Sequence, residues 1–454
     1  MIGNPEFTRN LWLQLSWPRV LAAVLVIGIL YYASLATGEL AAGTVATTGR
    51  WLFNIIIGFW GTRRAADALA EEVSGNTWET QRMSGLSAWQ MVWGKLLGGT
   101  AYPWICGLIC LALSDAALIQ AGAPRDVIIE MNLDLILSGL LAHAVSLGVA
   151  LLLLRKAQLR RRLMVTFAQI CGLIVYANTL LGDLSTSVNG LETVTWFGRI
   201  YPTTTFHLLS LLVFCLWGWF GLYRLMRLEL QYSNWPWAWL AFLAFAMIYA
   251  AGFAATAVAT TGAVLAAPVA LGALLTYGTF LAEPKDPVRY RWGLLALRDG
   301  EIGKALSFLP LWLLTYVISV GLAILLIIFL PRDVQPDVST LWLARWWQEY
   351  GPHANVMVAA AILFLARDLL FLLLLNFGSW RQRADIAGIL YLLIAYFPLG
   401  WILAFAGGPR LTSLVLPYDS GNVLLTFGPV LLQIILLAIF LRQRWRRQVV
   451  PSRA

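Results

Sequence analysis

Apolar residues along this chain come in runs of about 20, the length needed to cross a ~30 Å hydrocarbon core, and polar residues gather between the runs. Twelve such runs lie near residues 20–37, 44–62, 96–117, 134–154, 163–182, 204–223, 236–256, 262–282, 309–330, 356–377, 388–406 and 423–441. The pattern predicts an all-α integral membrane protein with about 12 transmembrane helices. Arg50 interrupts the second run. Snorkelling of its side chain to the outer interface would shift that helix toward the cytoplasm.

The polar segments differ in charge. Of 32 Lys and Arg residues, 25 fall in segments on one side of the alternation and six on the other, while Arg367 lies inside a run. Basic residues accumulate on the cytoplasmic side. Both termini are therefore expected in the cytoplasm, with an even number of spans, and the expected location is a bacterial inner membrane.

The spans repeat as six plus six, giving halves 1–230 and 231–454. In each half the largest cytoplasmic segment separates the second and third spans, at 63–95 and 283–308, and a short basic loop follows the fourth. Parallel repeats of this kind are common in transporters. The best residue match between halves is Gly94-Lys95-Leu96-Leu97 with Gly303-Lys304-Ala305-Leu306.

Composition narrows the class. Hydrophobic residues make up 60% of the chain and charged ones 12%, against roughly 45–50% and about 25% in soluble domains. The net charge of +9 follows from topology, and no basic, aromatic-interleaved polar surface suggests nucleic acid. Cys106, Cys110, Cys171 and Cys215 sit in apolar runs without accompanying His or carboxylate, so packed thiols are expected rather than a metal site. Trp17-Pro18-Arg19 before the first run argues against a cleavable signal peptide. The amphipathic, aromatic stretch 341–347 reads as a helix lying on the outer leaflet.

The segment with functional character is 63–97. Arg63 to Glu72 has helical composition and should extend the second span beyond the membrane. Ser74-Gly75-Asn76 is a break, Thr77 is placed to cap a short helix from Trp78 to about Met83, and Gly85 ends it. Ser87-Ala88-Trp89-Gln90 is a capping box that starts the third span. Glu71, Glu72, Glu79 and Arg82 are expected on the exterior of this helix–turn–short helix–turn–helix.

These residues resemble a known family. Glu72-x4-Thr77-Trp78-Glu79, Leu86-Ser87-x-Trp89-Gln90 and Gly94-Lys95-Leu96 are similar to the cytoplasmic loop of ATP-binding-cassette (ABC) type-2 permeases. Asn4-Pro5-Glu6-Phe7-x-Arg9 and the amphipathic stretch to Arg19 resemble that family's elbow helix, here 4–19. The resemblance implies a coupling helix at 77–83, with Glu72, Thr77, Trp78, Glu79, Arg82 and Met83 serving a separate ABC ATPase, two copies of which would complete the transporter beside membrane lipids. In the second half Thr-Trp-Glu is absent, and Arg291, Trp292 and Arg298 are the coupling candidates. ATP and Mg would bind the partner, because this chain lacks G-x4-G-K-S/T: Trp89 and Arg298 stand where the first Gly would precede Gly94-Lys95 and Gly303-Lys304. No cofactor, metal or catalytic residue is expected in this chain.

Polar residues within spans offer a competing reading. Arg367 and Asp368 sit inside one run and His143 inside another, where charges are expensive unless paired. Neighbours at i and i+1 point in different directions, so each of the pair is expected to find its partner on another helix. A structural ion pair and a structural histidine are one reading, and a proton- or sodium-coupled pathway through the three is the other. Glycosyl transfer on lipid-linked sugars would need acidic clusters in the outer loops, where Glu39 stands alone and Asp333 and Asp337 lack partners.

Overall fold

The computed structural model describes residues 3–36, 42–154, 161–189, 193–232, 234–255, 261–329, 353–378 and 383–449. The stretch 341–347 and residues Glu39, Asp333 and Asp337 lie outside them. The chain is an all-α multi-pass membrane protein that divides into two compact units, Met1–Val194 with Tyr201–Asn234, and Thr195–Ile200 with Trp235–Ala454.

The first unit begins with α1 (Pro5–Gln14) and α2 (Trp17–Ala36), which meet at a bend of 59°. One nearly unbroken helical path then runs through α3 (Ala42–Asn54), a π-helical segment (Ile55–Gly61) and α4 (Thr62–Ser74). Helices α5 (Trp78–Arg82) and α6 (Ala88–Trp93) follow, then a second π segment (Gly94–Gly98) and α7 (Ala101–Gln120). The unit continues with α8 (Arg125–Leu154), α9 (Arg161–Asn189) and α10 (Thr203–Glu229). Between α9 and α10, where the sequence suggests only a loop, strands β1 (Thr193–Trp196) and β2 (Arg199–Pro202) form a hairpin. Phe197 and Gly198 at its tip have φ of 48° and 70°, as a tight hairpin turn requires.

The second unit carries α11 (Trp237–Ala254), α12 (Thr261–Ala282), α13 (Pro287–Arg298), α14 (Ile302–Phe308), α15 (Leu311–Phe329) and α16 (Ala354–Asn376). After α17 (Ala384–Ile394) a π segment (Ala395–Leu399) leads into α18 (Gly400–Thr412), and α19 (Val423–Val449) follows.

Among the described residues nine helices are long and apolar enough to cross a membrane, or up to ten if the bent α1–α2 pair is one span. The expected second and fifth spans are helical but are not among the nine. The second, α3, has only 13 residues and carries Arg50; the fifth, α9, starts at Arg161-Arg162 and includes Gln169 and Asn178. Arg50 does not snorkel outward. Its side chain is turned to Asp115, 3.6 Å away, and Asn132, 3.4 Å away.

Unsatisfied backbone in lipid costs several kcal/mol per group, and the first π segment is closed by side chains. His143 Nε2 lies 2.9 Å from the Ile57 carbonyl oxygen, Gln169 Nε2 donates to the Phe59 carbonyl at 3.0 Å, and the Thr62 hydroxyl donates to the Gly58 carbonyl at 2.5 Å. The main core of the first unit lies around α4, α5 and α6, where Leu69, Trp78 and Met91 pack with Leu147, Leu151, Leu222 and Met226.

In the second unit, Glu283 follows α12 and accepts the N–H groups of Leu311 at 3.1 Å and Trp312 at 3.4 Å, capping α15 from outside its own segment. Burial pushes the Glu283 carboxyl above its ordinary range, although those N–H donors, Arg289 and Lys285 pull it down. A carboxyl raised in the native state stabilises the fold fully below its unfolded pKa, and this contribution is lost as pH rises through the native value. Glu283→Gln keeps an acceptor and removes the titration. Its melting temperature should therefore fall less than the parent's between about pH 4 and about pH 7, the span above an ordinary carboxyl; parallel curves would refute this account.

Candidate functional site

The loop between the second and third expected spans is built by local rules first. Helix α4 ends in a Schellman turn: Asn76 takes φ 57°, its N–H reaches the Val73 carbonyl at 3.3 Å, and the Thr77 N–H reaches the Glu72 carbonyl at 3.0 Å. Thr77 does not cap α5 with its side chain. Its hydroxyl donates back to the Glu72 carbonyl at 3.2 Å instead. The capping box is present, with the Gln90 N–H donating to Ser87 Oγ at 3.2 Å and the Ser87 N–H to Gln90 Oε1 at 2.9 Å.

Tertiary contacts then overturn two expectations. Glu72 is 8% exposed and Trp78 is 4% exposed, so neither faces outward. Both surround Lys95, whose side chain is fully buried. Lys95 Nζ donates to Glu6 Oε1 at 2.9 Å, to Gln81 Oε1 at 2.9 Å and to Glu72 Oε2, and stands 5.3 Å from the centre of the Trp78 ring. Arg9 completes the set by pairing with Glu6 at 3.2 Å and with Glu72. Two cations and two carboxylates thus tie α1, α4, α5 and the Gly94–Gly98 segment into one body.

Helix α1 is seated to make this possible. Asn4 caps it by accepting the Glu6 N–H at 3.1 Å and donates its own amide to the Gln90 carbonyl at 2.8 Å. Asn10 donates to Glu6 Oε1 at 3.0 Å and to the Gly94 carbonyl at 3.3 Å. A Cβ on Gly94 would lie 2.4 Å from Glu6 Cγ, and one on Gly98 would lie 2.8 Å from Asn10 Cβ. These two glycines, one turn apart, let the helices approach closely.

What remains outward on α5 is Glu79, Thr80 and Met83, the last 82% exposed, with Arg82 bonded to both Glu79 oxygens at 3.0 Å. Glu6, Arg9, Gln81 and Lys95 were not among the expected site residues. Charged residues flanking apolar runs, and the Gly94-x3-Gly98 spacing, were the signals for them.

The second loop is built differently. Helix α13 has 12 residues where α5 has five; Asp286 caps it by accepting the Val288 N–H at 3.0 Å. Arg291, Trp292 and Arg298 are exposed, Trp292 to 58%. Lys304, the sequence counterpart of Lys95, is exposed and pairs with Glu301 at 2.9 Å.

Arg367 and Asp368 do pair with each other, contrary to expectation: Arg367 Nε donates to Asp368 Oδ1 at 2.8 Å. The divergence of Cβ directions at i and i+1 is overcome because the arginine stem is long enough to fold back. Partners on other helices are present as well. Tyr277 and Tyr396 hydroxyls each donate to Asp368 Oδ2 at 2.6 Å, and Arg367 reaches Tyr396 Oη at 3.0 Å and Gln433 Oε1 at 3.3 Å. Each Asp368 oxygen is thereby engaged. His143, in the first unit, is fully buried and touches the Trp104 ring edge besides the Ile57 carbonyl.

Compared with protein families, with curated proteins and with solved structures, the chain has no match.

Removing one member of a buried ion pair typically costs about 3–5 kcal/mol, because the other charge is left without compensation. Lys95→Met should destabilise the first unit by an amount at the lower end of that range, since Arg9 still neutralises part of the Glu6–Glu72 charge. Adding Glu72→Gln should recover part of the loss. Denaturant unfolding in detergent across the double-mutant cycle measures the coupling; additive effects of the two changes would show that the cluster is not a unit.

Proposed function

We propose that the chain is the transmembrane permease subunit of an ABC exporter of the type-2 family, moving its substrate with ATP hydrolysed by separate nucleotide-binding subunits. The observation that carries this reading is the mechanical character of α5. It is a five-residue helix between two long membrane helices, fixed from behind by Lys95, Glu72, Glu6 and Trp78, with Glu79, Thr80 and Met83 turned outward. A soluble motor needs such a handle: exposed on one side and too firmly seated on the other to yield when pushed. The family resemblance of residues 1–97 supplies the identity of the motor, and two ATPase subunits would serve the two halves. The bacterial inner membrane, twelve spans and cytoplasmic termini belong to the same reading.

Ion-coupled transport through Arg367, Asp368 and His143 has weaker support. A coupling carboxylate needs a free lone pair for the travelling ion, and Asp368 spends its oxygens on Arg367, Tyr277 and Tyr396.

Orientation is tested by single cysteines in a background lacking the four native ones. Gly85→Cys, where a Cβ meets nothing within 4 Å, should label only after the membrane is permeabilised. Ala121→Cys, in the exposed turn after α7, should label from outside intact cells. The reverse pattern would invert the topology and disqualify 77–83 as a handle for a cytoplasmic ATPase.

Coupling is tested by co-purification of an ATPase with the tagged chain. Met83→Ala with Glu79→Lys should weaken that association by about 2 kcal/mol, roughly thirtyfold, with the melting temperature of the permease unchanged. Trp78→Ala should instead lower the melting temperature, because its ring belongs to the interior. Failure of any ATPase to accompany the parent chain, or full retention by the double variant, would defeat the proposal.

A further inference from the structure

At one end of the second unit, α13, the start of α15 and the C-terminal ends of α16 and α19 surround an apolar cleft of about 390 Å³, within the range of roughly 300–1,000 Å³ usual for ligand pockets. Its walls include Leu297, Leu313, Leu373, Phe377 and Leu441. They are the last apolar turns of helices long enough to span a membrane, so the cleft lies at headgroup level. Aromatic rings mark the same level: Trp445 lines the cleft beside Trp312, whose indole N–H donates to Tyr290 Oη at 3.3 Å.

The protein does not close this cleft. Leu294 and Leu297 of α13 line it, yet are 59% and 52% exposed. One cation also lines it. Arg442 is exposed and makes no ion pair among the described residues. Its neighbour Arg444 is already engaged, donating to the Leu374 carbonyl near the end of α16. An apolar slot at headgroup depth with an uncommitted guanidinium beside it matches one kind of molecule: a lipid with an acyl chain and an anionic phosphate.

We propose that this cleft seats an acyl chain of an anionic phospholipid, whose phosphate is held by Arg442. The site is independent of the transport reading. Its occupant would complete the apolar wall between α13 and α19 and tie the loop helix to the leaflet on that side.

The test is native mass spectrometry of the full chain in detergent, supplied with phosphatidylglycerol or phosphatidylcholine of identical acyl chains. The parent should retain one phosphatidylglycerol in preference to phosphatidylcholine by about fivefold, the factor matching roughly 1 kcal/mol per basic residue near an anionic surface. Arg442→Gln should abolish the preference. Arg447→Gln, an exposed charge on the same helix that does not line the cleft, should leave it intact. Leu294→Trp, which crowds the opening from an exposed position, should reduce retention of both lipids. Equal retention of the two lipids by the parent, or equal losses in the Arg442 and Arg447 variants, would overturn the site and leave only general attraction to the basic helix end. Should Leu294→Trp fail to fold, the comparison of the two arginines, both exposed, still decides the question.

Discussion

Everything around the first loop answers to one constraint: the ammonium of Lys95 has no water. Several kcal/mol are needed to strip an ion of its hydration even after relaxation, and here the compensation is assembled from four separate stretches of chain. Glu6 arrives on α1, Glu72 on α4, Gln81 on α5, and the ring of Trp78 covers what they leave. The close approach at Gly94 and Gly98, the Schellman turn at Asn76 and the cap at Asn4 are then parts of one solution, since each delivers a group to Lys95 at bonding distance. A short helix that would be marginal alone acquires a fixed position because its neighbours cannot move without exposing a charge.

The second unit handles its buried charges by other means. Lys285 pairs with Asp385, 2.9 Å away, which also accepts from Asn376 at 2.9 Å; this joins the residues after α12 to the start of α17 and leaves the loop helix α13 out of the network. Arg367 and Asp368 neutralise one another within the span and lean on two tyrosines and a glutamine from α12, α19 and the π segment after α17. Buried ion pairs are poor evidence for stability, yet a well-attested use of such groups is to fix register. Each network here joins elements whose apolar faces alone would permit sliding.

The helices of the fold were legible because lipid demands long apolar runs, and local turns were legible because their rules need only a few residues: the Ser87–Gln90 box and the break at 74–76 are examples. Burial was not legible in the same way. Glu72 and Trp78 sit in a polar stretch that reads as surface, and only the return of α1 onto Gly94–Gly98 encloses them. The π segments leave no mark in composition, so the reason for His143, a donor to a carbonyl inside the first of them, was hidden as well. In Arg367-Asp368 the rule about neighbouring positions failed because it describes Cβ directions and not the reach of a long side chain.

The seat of α1 also orders events during synthesis. Glu6 and Lys95 are 89 residues apart; at about 5–20 residues per second the ribosome needs roughly 5 to 18 s to make the second after the first. Throughout that interval Glu6 and Arg9 have only each other and the membrane surface for company. Helix α1 must wait at the interface while two membrane helices are inserted behind it, and it docks when Gly94 and Gly98 emerge. The first structure to be translated is therefore among the last in its unit to be secured, and its docking is a built-in checkpoint on whether those helices were threaded correctly.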